Sequence, residues 1–516
     1  MSPFVARCLS LTVAATLTVQ PVLVPVVRAQ TQDLPSLGDA GADDLSPANE
    51  RRLGEAIMRD VRQDTSYMDD PDSTEYLNTL GFKLVAASPA RYTDFRFFLV
   101  RDPMMNAFAL PGGFIGVHSG LILTAQSESE LAAVLAHEIG HVAQRHIARM
   151  IAKQRDSGLI AIGALLLALL ASRSGSPSSG QATEAAIAVG QAAAIQQQLN
   201  FSRENEREAD RVGFQILNDA GFDVTAMATF FTRLQQGSRI YESAAPAYLR
   251  THPLTVERIA DIQTRVRELK PHPRPDSLDF QLVRARLRVL QDDSVQGARD
   301  ALAYFNGQLK DRTTPSEAAT NYGAAVAALR LNQPAAALEY AQTARRLART
   351  PSAMLDKIVA DARFAAAKTD AERADAVRFA REATVRFPIS RLTAMNYVGL
   401  LQRTGQHEQA TAFLREQIAL PRSDPKYFEL LARSYAALDH KTLQHQATAE
   451  MYLLLGSLPA AIDQLQSARK SADADFYVMS EIDARLRQLT QRMREQREEL
   501  ARSGRAPPDE GKKGGE

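Results

Sequence analysis

Residues 137–141 read His-Glu-Ile-Gly-His. On a helix, His137 and His141 stand four residues apart and share a face. Each can then give a ring nitrogen to the same metal ion. Glu138, beside them, can take a proton from a metal-activated water. Catalytic zinc brings the pKa of its water to about 7, which supplies hydroxide at neutral pH to a polarised peptide carbonyl. The pattern therefore implies metal-assisted peptide hydrolysis with one zinc ion per chain. The chain holds 9 histidines, so a chance match to this spacing is roughly a one-in-a-hundred event.

A catalytic zinc keeps three protein ligands and one open position, so a third donor is needed. The only cysteine is Cys8. It lies in a segment expected to be removed, which leaves histidine and carboxylate as the donors. The best source is Ser202 to Asp210, and spacing alone does not choose between Glu204, Glu206 and Glu208. Glu206 has Asp210 one turn on, where a carboxylate can accept the free N–H of a ligating histidine and hold its ring. His252 precedes Pro253, so its backbone is expected to be extended, and a loop histidine there can swing to the ion. His146 falls on the apolar stripe of the motif helix, away from the ligands, and reads as structural. His118, His272, His407, His440 and His445 show no partner in the sequence.

Several elements must position these groups. Ser46-Pro47 is a helix start, and Phe95 to Val100 reads as a strand. Ala107 to Val117 is a second extended stretch, turned at Pro111-Gly112-Gly113. Ser127 to Glu130 matches a capping box, and the helix that follows is expected to run to about Met150. Leu131, Leu135, Ile139 and Val142 form its apolar stripe, with the histidines on another side. One face is thus expected to pack and the other to look into a cleft. Asn200 to Ala220 reads as a polar helix.

Leu159 to Ala171 is almost wholly apolar but shorter than the roughly 20 residues that span a bilayer. It is expected to be a buried helix, a lid, or a segment in peripheral contact with a membrane. A second apolar stretch runs from Ala182 to Ile195. Pro271 to Pro275 marks a domain boundary. Beyond it three segments resemble each other: Arg330 to Leu338, Arg403 to Ala410, and Leu455 to Ile462. Each has a turn residue with an alanine five positions on, the spacing of the tight helix turn in tetratricopeptide (TPR) repeats. The expected division is 30–45 linker, 46–270 metallopeptidase domain, 271–280 linker, 281–501 TPR-like domain and 502–516 disordered tail.

Residues 1–29 read as a signal peptide: Arg7 supplies charge, Leu9 to Val27 is largely apolar, and Val27-Arg28-Ala29 suits cleavage before Gln30. Net charge is +1, Trp is absent and 6% of residues are aromatic. That composition argues against nucleic acid as a partner.

The chain resembles the zinc peptidases that include the CaaX prenyl protease and the HtpX heat-shock protease. Within them it is most similar to the periplasmic BepA-type proteins, in which TPR repeats follow the peptidase domain. The likeness rests on Asn106 to Gly113, His137 to His141 with Gln144-Arg145-His146, Glu206 with Ala209-Asp210, and Thr251 to Leu254 with Arg258. It implies a mainly α protein: a zincin-like α+β metallopeptidase domain with a small sheet, then an α-helical TPR-like solenoid. It further implies a gluzincin-like site with Glu206 as third ligand, Glu138 as base, and Ala107 to Gly113 as an edge strand near the cleft. His252 is expected to hold the open coordination position and keep the enzyme off, or to stabilise the oxyanion with Arg258 nearby. The implied setting is the periplasm. The implied substrates are misfolded or unassembled envelope proteins, with outer-membrane assembly machinery as a partner of the TPR-like domain. The rival expectation is a chaperone-like scaffold whose protease site is latent.

Overall fold

The computed structural model describes residues 46–90, 93–153, 203–240, 247–269, 272–420, 424–471, 473 and 475–502. The expected signal peptide, the 30–45 linker, the apolar stretches 159–171 and 182–195, and the tail beyond Arg502 lie outside them. Among the described residues no helix is long and apolar enough to cross a membrane.

Helix α1 (Pro47–Val61) begins as its sequence directs. The Ser46 hydroxyl accepts from the Asn49 N–H at 3.2 Å, and proline fills the first turn, where no N–H is required. A sheet of β1 (Tyr67–Met68), β2 (Arg96–Val100), β3 (Ala107–Leu110) and β4 (Phe114–His118) has the spatial order β1-β2-β4-β3. β2 and β4 run parallel, while β3 and β4 form an antiparallel hairpin. Gly112 and Gly113 turn that hairpin at φ 75° and 87°, which glycine adopts without steric cost.

Alternation along β2 serves two layers. Phe98 and Val100 pack with Ile57, Met58 and Val61 of α1. Phe97 and Leu99 pack on the other side with Leu77 and Leu80 of α2 (Pro71–Ala86) and with the helix that carries the motif. β3 closes the sheet as an edge strand, as expected.

After α3 (Ser119–Thr124) comes the motif helix, α4 (Glu128–Ala143). Ser127 caps it through the Glu130 N–H at 3.2 Å, but the Glu130 carboxylate takes the Gln126 N–H instead of closing a reciprocal box. Two expectations fail here. The helix does not continue to Met150: Arg145 turns left-handed at φ 51° and a separate helix, α5 (His146–Lys153), starts beyond it. Nor is α4 one-sided, because every residue from Glu128 to His141 is buried. Its small Ala132, Ala133, Ala136 and Gly140 let neighbours approach all round, so it is a central core helix.

α6 (Arg203–Asp219) lies along α4, and α7 (Thr225–Ile240), α8 (Ala247–Thr251) and α9 (Val256–Glu268) complete this half. The rest is helical. α10 (Leu278–Leu290) begins inside the segment expected as linker and packs on α2 and α3. It is followed by α11 (Val295–Asp311), α12 (Glu317–Arg330), α13 (Pro334–Leu347), α14 (Ala353–Ala366), α15 (Asp370–Arg386) and α16 (Arg391–Arg403). α17 (His407–Ile418), α18 (Pro425–Ala437), α19 (Lys441–Leu454), α20 (Leu458–Lys470) and α21 (Phe476–Arg502) follow, each packed on its predecessor. The three similar segments all fall at turns between helices. Asn332, Gly405 and Gly456 turn at φ 55°, 74° and 78°, and the alanines five positions on, Ala337, Ala410 and Ala461, are 0% exposed. A small side chain there lets two helices close tightly, as a TPR-like solenoid requires.

Candidate metal centre

Helix α4 sets His137 and His141 one turn apart, and their Nε2 atoms lie 3.0 Å from each other. Helix α6 brings Glu206 to them because the two helices cross on glycines. Cβ atoms built on Gly140 and Gly213 would stand 2.9 Å from the backbone of Ala209 and of His137 respectively. No larger residue permits that approach. Glu206 Oε2 is then 3.5 Å from His137 Nε2, and Glu206 Oε1 is 3.4 Å from His141 Nε2. His252, just past α8, adds its Nδ1 at 3.1 Å from Glu206 Oε1 and 3.3 Å from His137 Nε2.

Zinc bonds of 2.0–2.2 Å in a tetrahedron place donor atoms roughly 3.3 Å apart. The donors of His137, His141, Glu206 and His252 lie within 4.8 Å of one another, and the individual contacts scatter around the tetrahedral value. Imidazole and carboxylate are zinc donors, so these residues fit the ion. All four are fully buried. The cleft expected beside the histidines is replaced, among the described residues, by an enclosed cluster.

Electrostatics bind the cluster together. Burial works against a charged His137, but its contacts to Asp210 and Glu206 prevail and push its pKa up to about 9. Burial likewise opposes ionisation of Glu206, yet the facing histidines hold its carboxyl well below the ordinary range. Burial takes His141 well below the usual imidazole value and raises Glu138. The backbone of Ala109 in the edge strand opposes that rise, and β3 packs directly against the motif helix. His252 turns its other nitrogen, Nε2, to within 3.4 Å of Glu138 Oε1.

Asp210 Oδ1 lies 3.0 Å from His137 Nδ1. Arg258 does not sit as an oxyanion-stabilising group would. Its guanidinium is committed to Asp210 at 2.6 and 2.7 Å, to Glu206 at 2.8 Å and to the Pro253 carbonyl at 2.7 Å. It therefore neutralises the two carboxylates and ties α9 to α6. Glu204 is exposed. Glu208 points away from the cluster, to His146 and Arg149.

His146 needs a correction. It is not remote from the ligands: its Nδ1 is 2.8 Å from His141 Nδ1. The break at Arg145 turns it back, a change of direction that a continuous helical wheel does not contain. Tyr248 was missed. Fully buried, it stacks on the His252 ring at 4.6 Å and 26°. Its place four residues before His252 was the one signal available. His118 also has a partner, Asp102, at 2.8 Å.

The family model described as peptidase family M48 matches residues 71–266. The beta-barrel assembly-enhancing protease of Escherichia coli (strain K12) is 34% identical over 484 residues, covering 93% of this chain and 96% of its own. The mitochondrial metalloendopeptidase OMA1 of Schizosaccharomyces pombe is 31% identical over 225 residues, 43% of this chain and 62% of its own. Among solved structures, a thermophilic TPR protein of Thermus thermophilus covers 39% of this chain and 97% of its own at 20% identity, but the TM-score of 0.23 is too low to bear on the fold.

Proposed function

The chain belongs to peptidase family M48, and from that membership we propose that it is an exported endopeptidase working with one zinc ion per chain. His137, His141 and Glu206 hold the ion, a gluzincin-like donor set. The observation that carries this reading is the mutual spacing of their donor atoms, 3.0 to 3.5 Å. When bound, zinc supplies Lewis-acid activation of water and of the scissile carbonyl. Glu138 takes the proton of the attacking water and returns it to the leaving amine, a role suited to a carboxylate whose proton affinity burial has raised. Asp210 holds His137 in the tautomer that presents Nε2. The edge strand β3 pairs with the extended backbone of the substrate, which makes recognition largely independent of side chains.

The relatives' name ties them to β-barrel assembly. We place this chain in the same work: periplasmic quality control of misfolded or unassembled envelope proteins, with the TPR-like half docking to outer-membrane assembly machinery. Residues 1–29 serve as the signal peptide. Metal analysis tests the core of the proposal. Purified protein is expected to carry about one zinc per chain, lost in His137→Ala. A metal-free wild type overturns it.

A second reading has its own observation. His252 occupies the cluster with one nitrogen and faces Glu138 with the other, which suits a site held off until that histidine leaves. In this reading the protein works mainly as a chaperone-like scaffold with a latent protease. His252→Ala is then expected to raise peptidase activity. Glu138→Gln decides between the roles: envelope function that survives the change unaltered makes scaffolding the main one.

A further inference from the structure

Behind His141, on the side away from Glu206, stands His146. The two rings meet edge to face with centroids 4.9 Å apart, and their Nδ1 atoms are 2.8 Å apart. His146 Nε2 is 3.1 Å from Glu208 Oε2, which also takes Arg149 at 2.8 Å. His146 is 0% exposed. With His146 as neutral imidazole, one proton arrangement satisfies these contacts together. His146 Nε2–H donates to Glu208, which leaves His146 Nδ1 bare to accept the His141 Nδ1–H, and His141 Nε2 then presents its lone pair toward Glu206 and His137.

We propose that His146 is a positioning residue for the metal ligand His141, relaying the orienting pull of Glu208 to it through one imidazole. The inference rests on the zinc reading above and extends it. The backbone supports it. On an unbroken helix His146 would stand roughly 140° round the axis from His141, facing elsewhere. The left-handed Arg145, at φ 51°, ends α4 and turns the first residue of α5 back onto the ligand. The two ligands are thus backed unequally. His137 meets a carboxylate directly, whereas His141 meets one at second hand, and that carboxylate is 29% exposed.

The test is zinc affinity of the full chain by competition with a chromophoric chelator, alongside thermal unfolding of the metal-free protein. His146→Leu is expected to weaken zinc binding about 10- to 100-fold. His146→Asn, whose Oδ1 stands where Nδ1 stood, is expected to recover most of that loss. Zinc affinity unchanged in His146→Leu, or no better in His146→Asn than in His146→Leu, overturns the proposal. Should His146→Leu fail to fold, Glu208→Gln reads the same chain of bonds from its solvent end. A several-fold weaker affinity there supports the relay, and an unchanged one overturns it. A wild-type chain that takes up no zinc is a different failure: it removes the metal reading beneath the relay and the relay with it.

Discussion

Arg258 shows how costly the site's arrangement is at the residue scale. Asp210 and Glu206 are carboxylates with almost no solvent, one turn apart on α6. Neither could stay ionised there without a cation. One guanidinium serves both, because its fixed fork can grip Asp210 with two N–H groups while a third reaches Glu206. Arg258→Ala would remove the cation that both carboxylates share and is expected to cost about 3–5 kcal/mol, read by urea unfolding. Arg258→Lys should restore only part of it, since a point charge cannot bridge two carboxylates in this geometry. A variant as stable as the wild type would show that the pair of charges is satisfied by something else.

At the scale of elements, the crossing of α4 and α6 decides whether the third donor reaches the first two. Replacing a helical glycine by alanine ordinarily stabilises by about 1 kcal/mol. At Gly213 the added Cβ would stand 2.9 Å from the His137 nitrogen and 3.0 Å from the Ala136 carbonyl oxygen, both backbone atoms. Backbone cannot swing aside, so overpacking of about 1–3 kcal/mol outweighs the helix gain. Gly213→Ala is therefore expected to lower stability and, by pushing α6 outward, to weaken zinc binding although no donor has changed. Unfolding and metal titration on the same variant check both parts. A more stable protein with full affinity would mean that the helices do not bear on each other there.

At the scale of the whole molecule, the helical half grips the peptidase half at α4, which carries the motif, and at α2, which packs on α4. The Glu128 N–H of α4 donates to Asp276 at 2.7 Å, and Ser277, which caps α10, donates to the Glu128 carboxylate at 2.6 Å. Asp70 caps α2 through the Ser73 N–H and takes Arg286 of α10 at 2.6 to 2.9 Å. Glu75 accepts from Ser390 and from the Leu392 N–H at the start of α16. Burial opposes the charge on Asp70, but Arg286 prevails and holds its pKa down at about 2 against 3.8. Its stabilising contribution is therefore complete above pH 4 and disappears as pH falls from about 4 to about 2, a loss of about 2 kcal/mol. Urea unfolding of the wild type against Asp70→Asn should show the difference between them shrinking over that window. A constant difference down to pH 2 would remove Asp70 from the acid response.

Sequence by itself determined what is local. Two histidines and a glutamate within five positions share a helix because a helix repeats every 3.6 residues. Ser46, Pro111 to Gly113 and the alanines after Asn332, Gly405 and Gly456 announce caps, a turn and tight helix pairs for equally short-range reasons. Tertiary structure decided what depends on a crossing or a bend. It put Glu206 rather than Glu204 or Glu208 beside the rings, it spent Arg258 on two carboxylates, and through the single left-handed residue Arg145 it set His146 behind His141. Spacing along a chain carries the period of one element, but the distance between two elements depends on which small residues let them meet.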